Sequence, residues 1–123
     1  MTSVFPAWLA TAGRTLFVIY FITMGLSHLI NFREHSGFLR RKGVPMARAA
    51  TLLTVVMMTL GGALFVTGWH REAGAALLFG IIFPAPFFLH HFWNETESYM
   101  RLSEFAHFTK DLALAGAALL LAR

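Results

Sequence analysis

Residues 73–93 read AGAALLFGIIFPAPFFLHHFW. No Asp, Glu, Lys or Arg interrupts them, and their length matches the ~20 residues that carry a helix across a hydrocarbon core about 30 Å thick. The stretch reads as a membrane span. It also holds two prolines, Pro84 and Pro86, and is closed by two adjacent histidines, His90 and His91. Each proline removes a backbone donor and frees a carbonyl about one turn earlier, near Gly80 and Ile82. The plain reading is a packing bend, common in membrane helices. The functional reading is a bend that opens a pocket beside His90, as interrupted helices do in transporters.

Three further apolar stretches, roughly 7–30, 47–69 and 104–122, have similar length. Of the 123 residues 57% are hydrophobic and 13% charged, about half the charge of a typical soluble domain. The fold class expected is all-α: an integral membrane four-helix bundle, with residues 1–123 as a single transmembrane domain. The HRE of 70–72 makes the second and third spans antiparallel neighbours, and the polar 94–103 link makes the third and fourth so. The result is an up-down-up-down bundle with both termini on one side. The 31–46 segment, NFREHSGFLRRKGVPM, is the longest connection. Its Phe32, Phe38 and Leu39 among Arg40, Arg41 and Lys42 suit a segment lying at the membrane surface.

The first stretch reads as a retained helix rather than a secretory signal, because no Lys or Arg precedes it and it runs into GLSHLINFREH without a small-x-small cleavage site. There is no cysteine, which removes thiolate metal sites and thiol–disulfide chemistry; no metal site is expected. The net charge of +4 follows from basic loops beside spans and needs no nucleic acid. Arg33, Arg40, Arg41, Lys42, Arg48 and Arg101 lie on the long-loop side; Arg71, Arg123 and Arg14 lie on the other. This bias places the 31–46 loop in the cytoplasm and the termini outside, in a bacterial inner membrane.

A charge near mid-bilayer costs about 2.5–3.5 kcal/mol even on the lenient insertion scale, so ionisable residues within spans should face inward. Glu104, His107 and Asp111 share one face of the fourth helix, continued by Ala115, Ala118 and Ala122, with Lys110 about 60° away. The first helix aligns Arg14, Phe17, Phe21, Gly25 and His28. Counting along the helices brings Arg14 and Asp111 to similar depth, and a structural charge pair between them, direct or through water, is expected. His28, His90, His91 and His107 all sit towards one membrane side. Their bland reading is as interfacial belt residues.

The third-helix FPAPFFLHHFW, the fourth-helix FTKDLALAGAALLLA and the opening GRTLFVIYFITMGLSHL together resemble the DoxX family of small four-helix membrane proteins. His90, Phe92 and Trp93 match that family's Phe-His-x-Phe-Trp-like element, and Lys110, Leu112, Ala113 and Leu114 its fourth-helix opening; His28 stands where lysine is usual. Met58 stands where an acid is common on the second helix, and Asp111 where asparagine is common on the fourth. The resemblance implies association with quinone-linked oxidoreductases.

The leading expectation is therefore a redox-associated subunit of a respiratory or oxidoreductase system that holds a quinone by His28, His90, His107 and Lys110. Its ring would pack on Phe87, Phe92 or Trp93. The alternatives are a non-catalytic accessory or assembly subunit and, behind it, a haem b protein with two of the histidines as axial ligands. Partners in these readings are the bilayer, a membrane or peripheral redox subunit, or a second copy of the chain. No catalytic residue is assigned.

Overall fold

The computed structural model describes residues 4–122; Arg123, counted above in the charge balance, lies outside them. Among the described residues every regular element is helical: α1 (Ala7–Ile30), α2 (Phe32–Arg41), α3 (Ala47–Thr67), α4 (Arg71–Ile82), α5 (Ala85–Leu89), a 3-10 turn (Phe92–Asn94) and α6 (Ser98–Leu121). Three segments, Ala7–Ile30, Ala47–Thr67 and Arg71–Asn94, are long and apolar enough to cross a bilayer. The fourth bundle helix, α6, is 24 residues long and carries Glu104, Lys110 and Asp111. The chain is an all-α integral membrane protein. Leu16, Ile19, Leu52, Leu53, Leu119 and Leu120 stay largely exposed on its outside. Such a surface suits lipid and not water.

Packing runs in sequence: α1 lies on α3, α3 on α4, and α4 on α6. The α3–α4 hairpin turns on Gly68, whose φ of 80° favours glycine. The two helices then meet glycine to glycine: a Cβ added at Gly74 would lie 2.6 Å from the Gly61 carbonyl oxygen. Small residues allow this approach, which membrane helices use where apolar lipid gives no hydrophobic drive to associate. Phe17, Phe21, Phe65, Leu78, Ala115 and Ala118 fill the centre. The alanine stripe of α6 is thus the part of that helix packed into the core.

Several element boundaries differ from the sequence expectation. The third span is two helices, broken at Phe83–Pro84, and it leaves helical geometry at His90 (φ −116°, ψ 72°). The fourth helix begins at Ser98, where Glu97 accepts hydrogen bonds from the Tyr99 and Met100 amides and so caps the first turn. These bonds favour the ionised carboxylate and hold Glu97 below its ordinary pKa. The 31–46 segment contains the ten-residue α2 rather than loop alone. Leu39 and Ser36 turn inward from it, and Ser36 Oγ donates to Thr51 Oγ1 of α3 at 3.0 Å.

Candidate functional site

At the end of the bundle covered by α2, every helix contributes to one cavity of about 290 Å3. Tyr20, Met24 and His28 come from α1; His35, Phe38 and Leu39 from α2; Thr54 and Met58 from α3; Ile81 and Ile82 from α4. Ala85 and Leu89 of α5, His90 just beyond it, and His107, Lys110 and Asp111 of α6 complete the wall. Its size lies at the lower edge of the ~300–1,000 Å3 usual for small-molecule sites, and it has their character of mostly apolar walls with a few convergent polar groups.

The broken third span positions the central group. Because the chain unwinds after Leu89, His90 is carried towards α6 and lies between two carboxylates of that helix. Its Nδ1 is 3.1 Å from Glu104 Oε2 and its Nε2 is 3.6 Å from Asp111 Oδ2. Glu104 and Asp111 are two helical turns apart on one face, about 10.5 Å along the axis, and the imidazole bridges them. A neutral imidazole has one N–H and can donate to only one carboxylate; donation to both needs the protonated ring. Glu104, His90 and Asp111 therefore form an array in which the ring is hydrogen-bonded to Glu104 and within ion-pair range of Asp111; the 3.6 Å gap has to shorten before a proton can pass to Asp111.

Further groups extend it. Lys110 Nζ is 3.7 Å from Asp111 Oδ1 and donates to the Tyr20 hydroxyl at 3.4 Å, which ties α6 to α1 across the cavity. His107 stacks on His90 with ring centroids 5.1 Å apart, and His28 stacks on His35 at 3.8 Å. Neither stacked pair leaves room for a porphyrin and its iron between the rings. Burial lowers the His35 pKa below the ordinary histidine value. His91 points elsewhere: its Nε2–H donates to the Phe87 carbonyl at 2.8 Å, satisfying the end of α5.

Two sequence expectations are corrected here. The expected Arg14–Asp111 pair is not formed directly: Arg14 Nε donates to the Leu121 carbonyl at 3.1 Å, and the ion pairs of Asp111 among the described residues are with His90 and Lys110. The reason is direction. The Cα–Cβ bond in a helix tilts towards the N-terminus, so Arg14 reaches out to the unpaired last turn of α6, about 15 Å from Asp111 along that helix. Its charge favours the negative end of the α6 dipole. Arg71 does the same for α3, donating to the Phe65 carbonyl at 3.0 Å. Second, Trp93, with Phe87 and Phe92, does not line the cavity. The 3-10 turn carries Phe92 and Trp93 onto the outer side of α6, against Phe105 and Phe108, and Trp93 stays 51% exposed.

His28, His90, His107 and Lys110 do share the cavity. His35, Tyr20 and Met58 were missed as lining residues. A helical reading of 32–41 would have found His35, since Phe32, Ser36 and Leu39 recur at helical spacing beside it. Met58, where the family resemblance places an acid, faces the same cavity as Asp111, so a carboxylate is present there from a different helix.

The family model for DoxX matches residues 9–91, which run from the start of α1 to His91. The chain belongs to the DoxX family. It is 28% identical over 110 residues, 89% of this chain and 78% of the relative, to the inner membrane protein YphA of Escherichia coli strain K12. No solved structure matches it.

Proposed function

We propose that this DoxX-family chain is a redox-associated subunit of a bacterial inner membrane, the location named for its YphA relative, and that its cavity holds a quinone headgroup. The observation that supports this most is the convergence of His28, His90, His107, Lys110 and Asp111 on one mostly apolar space. Ionisable groups are expensive at membrane depth and mark sites of function. A quinone headgroup needs an apolar slot with donors for two carbonyl oxygens, and the histidines and Lys110 are such donors.

When bound, a quinone supplies a ring that accepts and returns electrons together with protons. The chain supplies the rest. Lys110, held by Tyr20 and Asp111, and the His107 and His28 rings orient polar atoms within the cavity. Glu104, only 15% exposed, stands at the start of α6, and His90 links it to the 6% exposed Asp111. Closure of the 3.6 Å His90–Asp111 gap would then let a proton move between Glu104 and the cavity wall within the folded bundle.

The test is equilibrium binding of decylubiquinone to the purified chain, with an organic extract analysed for copurified quinone. His90→Ala is expected to weaken binding about tenfold, or ~1.4 kcal/mol, and His91→Ala to leave it within about twofold. No binding to the wild type and no copurified quinone would sink the proposal and favour the accessory-subunit reading.

A further inference from the structure

We propose that α2 and the first turn of α3 form a binding site for a phosphate group, separate from the histidine cavity. Arg33, Ser36 and Arg40 stand at i, i+3 and i+7 on one face of α2. With Arg48 of α3 they line a concavity of about 220 Å3. The convergence is built from within. Ser36 Oγ donates to Thr51 Oγ1, which donates to the Ala47 carbonyl, and both hydroxyl residues are buried. This pin fixes α2 across α3 one turn beyond Arg48, and the exposed Arg33, Arg40 and Arg48 all border one hollow.

Among the described residues nothing balances that charge. Among the described residues no ion pair involves Arg33, Arg40 or Arg48, and the acid in the first turn of α2, Glu34, is in none either. Setting a loop's orientation requires basic residues in number and does not require them to converge. Like charges held together repel unless an anion joins them. Arg40 and Arg48 also flank the start of α3, where Met46 provides no side-chain cap and the first-turn amides are free to donate. A tetrahedral phosphate, with several acceptor oxygens, matches several guanidinium forks at once. Its source is either the headgroup of an anionic phospholipid, which lies at the depth of the span ends, or soluble phosphate.

The experiment uses the full chain in neutral detergent. Binding of dioctanoyl phosphatidylglycerol, dioctanoyl phosphatidylcholine and inorganic phosphate is followed by native mass spectrometry and thermal shift. Saturable binding is expected, weakened about tenfold by each of Arg33→Gln, Arg40→Gln and Arg48→Gln. Arg101→Gln, which removes the same charge from the same end outside the concavity, is expected to change it less than about twofold. Preference for phosphatidylglycerol over phosphate identifies the lipid as the source; equal saturation by phosphate alone identifies the soluble anion. Equal weakening by Arg101→Gln, or saturable binding of none of the three probes, overturns the site.

Discussion

His90 Nδ1 lies 3.1 Å from Glu104 Oε2, and this contact joins the broken end of the third span to the first turns of α6. At that distance the two groups are energetically coupled. A double-mutant cycle on Glu104→Gln and His90→Asn, read by thermal melting in detergent, is expected to give a coupling of about 0.5–3 kcal/mol. Additive losses would show the residues to be independent.

Glycine substitutions on two helices should have opposite effects. At Gly74 an added Cβ meets the Gly61 carbonyl at 2.6 Å and the Phe65 amide nitrogen at 2.7 Å, both rigid backbone. Gly74→Ala is expected to cost about 1–3 kcal/mol through overpacking. At Gly116 nothing lies within 4 Å, and Gly116→Ala should gain up to ~1 kcal/mol of helix propensity. A melting temperature that does not fall for Gly74→Ala would contradict the α3–α4 packing, and one that falls for Gly116→Ala would contradict the open space beside α6.

Acid should loosen α2. The His35 pKa is lowered by burial, so the folded state favours the neutral ring. The unfolded state binds the proton more readily, and stability is lost as pH falls from about 6.5 towards the folded pKa. The stacked His28 ring, 3.8 Å away, adds like-charge repulsion if both protonate. Amide protection across Phe32–Arg41, corrected for the pH dependence of the intrinsic exchange rate, is expected to fall between pH 7.5 and 5.5, and less so in His35→Phe. Unchanged protection over that range would remove His35 as the cause.

Orientation can be tested with single cysteines, since the chain has none. Ser36 is a poor choice because it is buried, whereas Arg41 and Glu72 are exposed on opposite ends. In intact cells an impermeant reagent should label Glu72→Cys and spare Arg41→Cys until the membrane is opened, as the excess of basic residues around α2 requires. The reverse pattern would invert the topology.

The spans were legible because lipid imposes length and apolarity on them, and the grouping of His28, His90 and His107 followed from counting turns towards one end. Partners were harder to read. Arg14 and Asp111 match in depth along their helices, yet depth ignores the tilt of each side chain towards its own N-terminus, and that tilt takes Arg14 to Leu121. Trp93 was misplaced because helical phase stops meaning anything once the chain unwinds at His90. His35 was hidden in a segment read by its charge and not by its periodicity.

The distribution of polar groups in α6 bears on how the protein is made. Inserted alone, this helix would take Glu104, Lys110 and Asp111 into lipid, each at a cost of up to ~3.5 kcal/mol depending on depth. The groups that receive them, His90 at the end of the third span and Tyr20 on α1, belong to earlier parts of the chain. Synthesis runs from the N-terminus, so those receivers are already in the bilayer when α6 leaves the ribosome. The least apolar of the four bundle helices thus follows its receivers along the chain, and the order of the gene supports an insertion that α6's own composition does not favour.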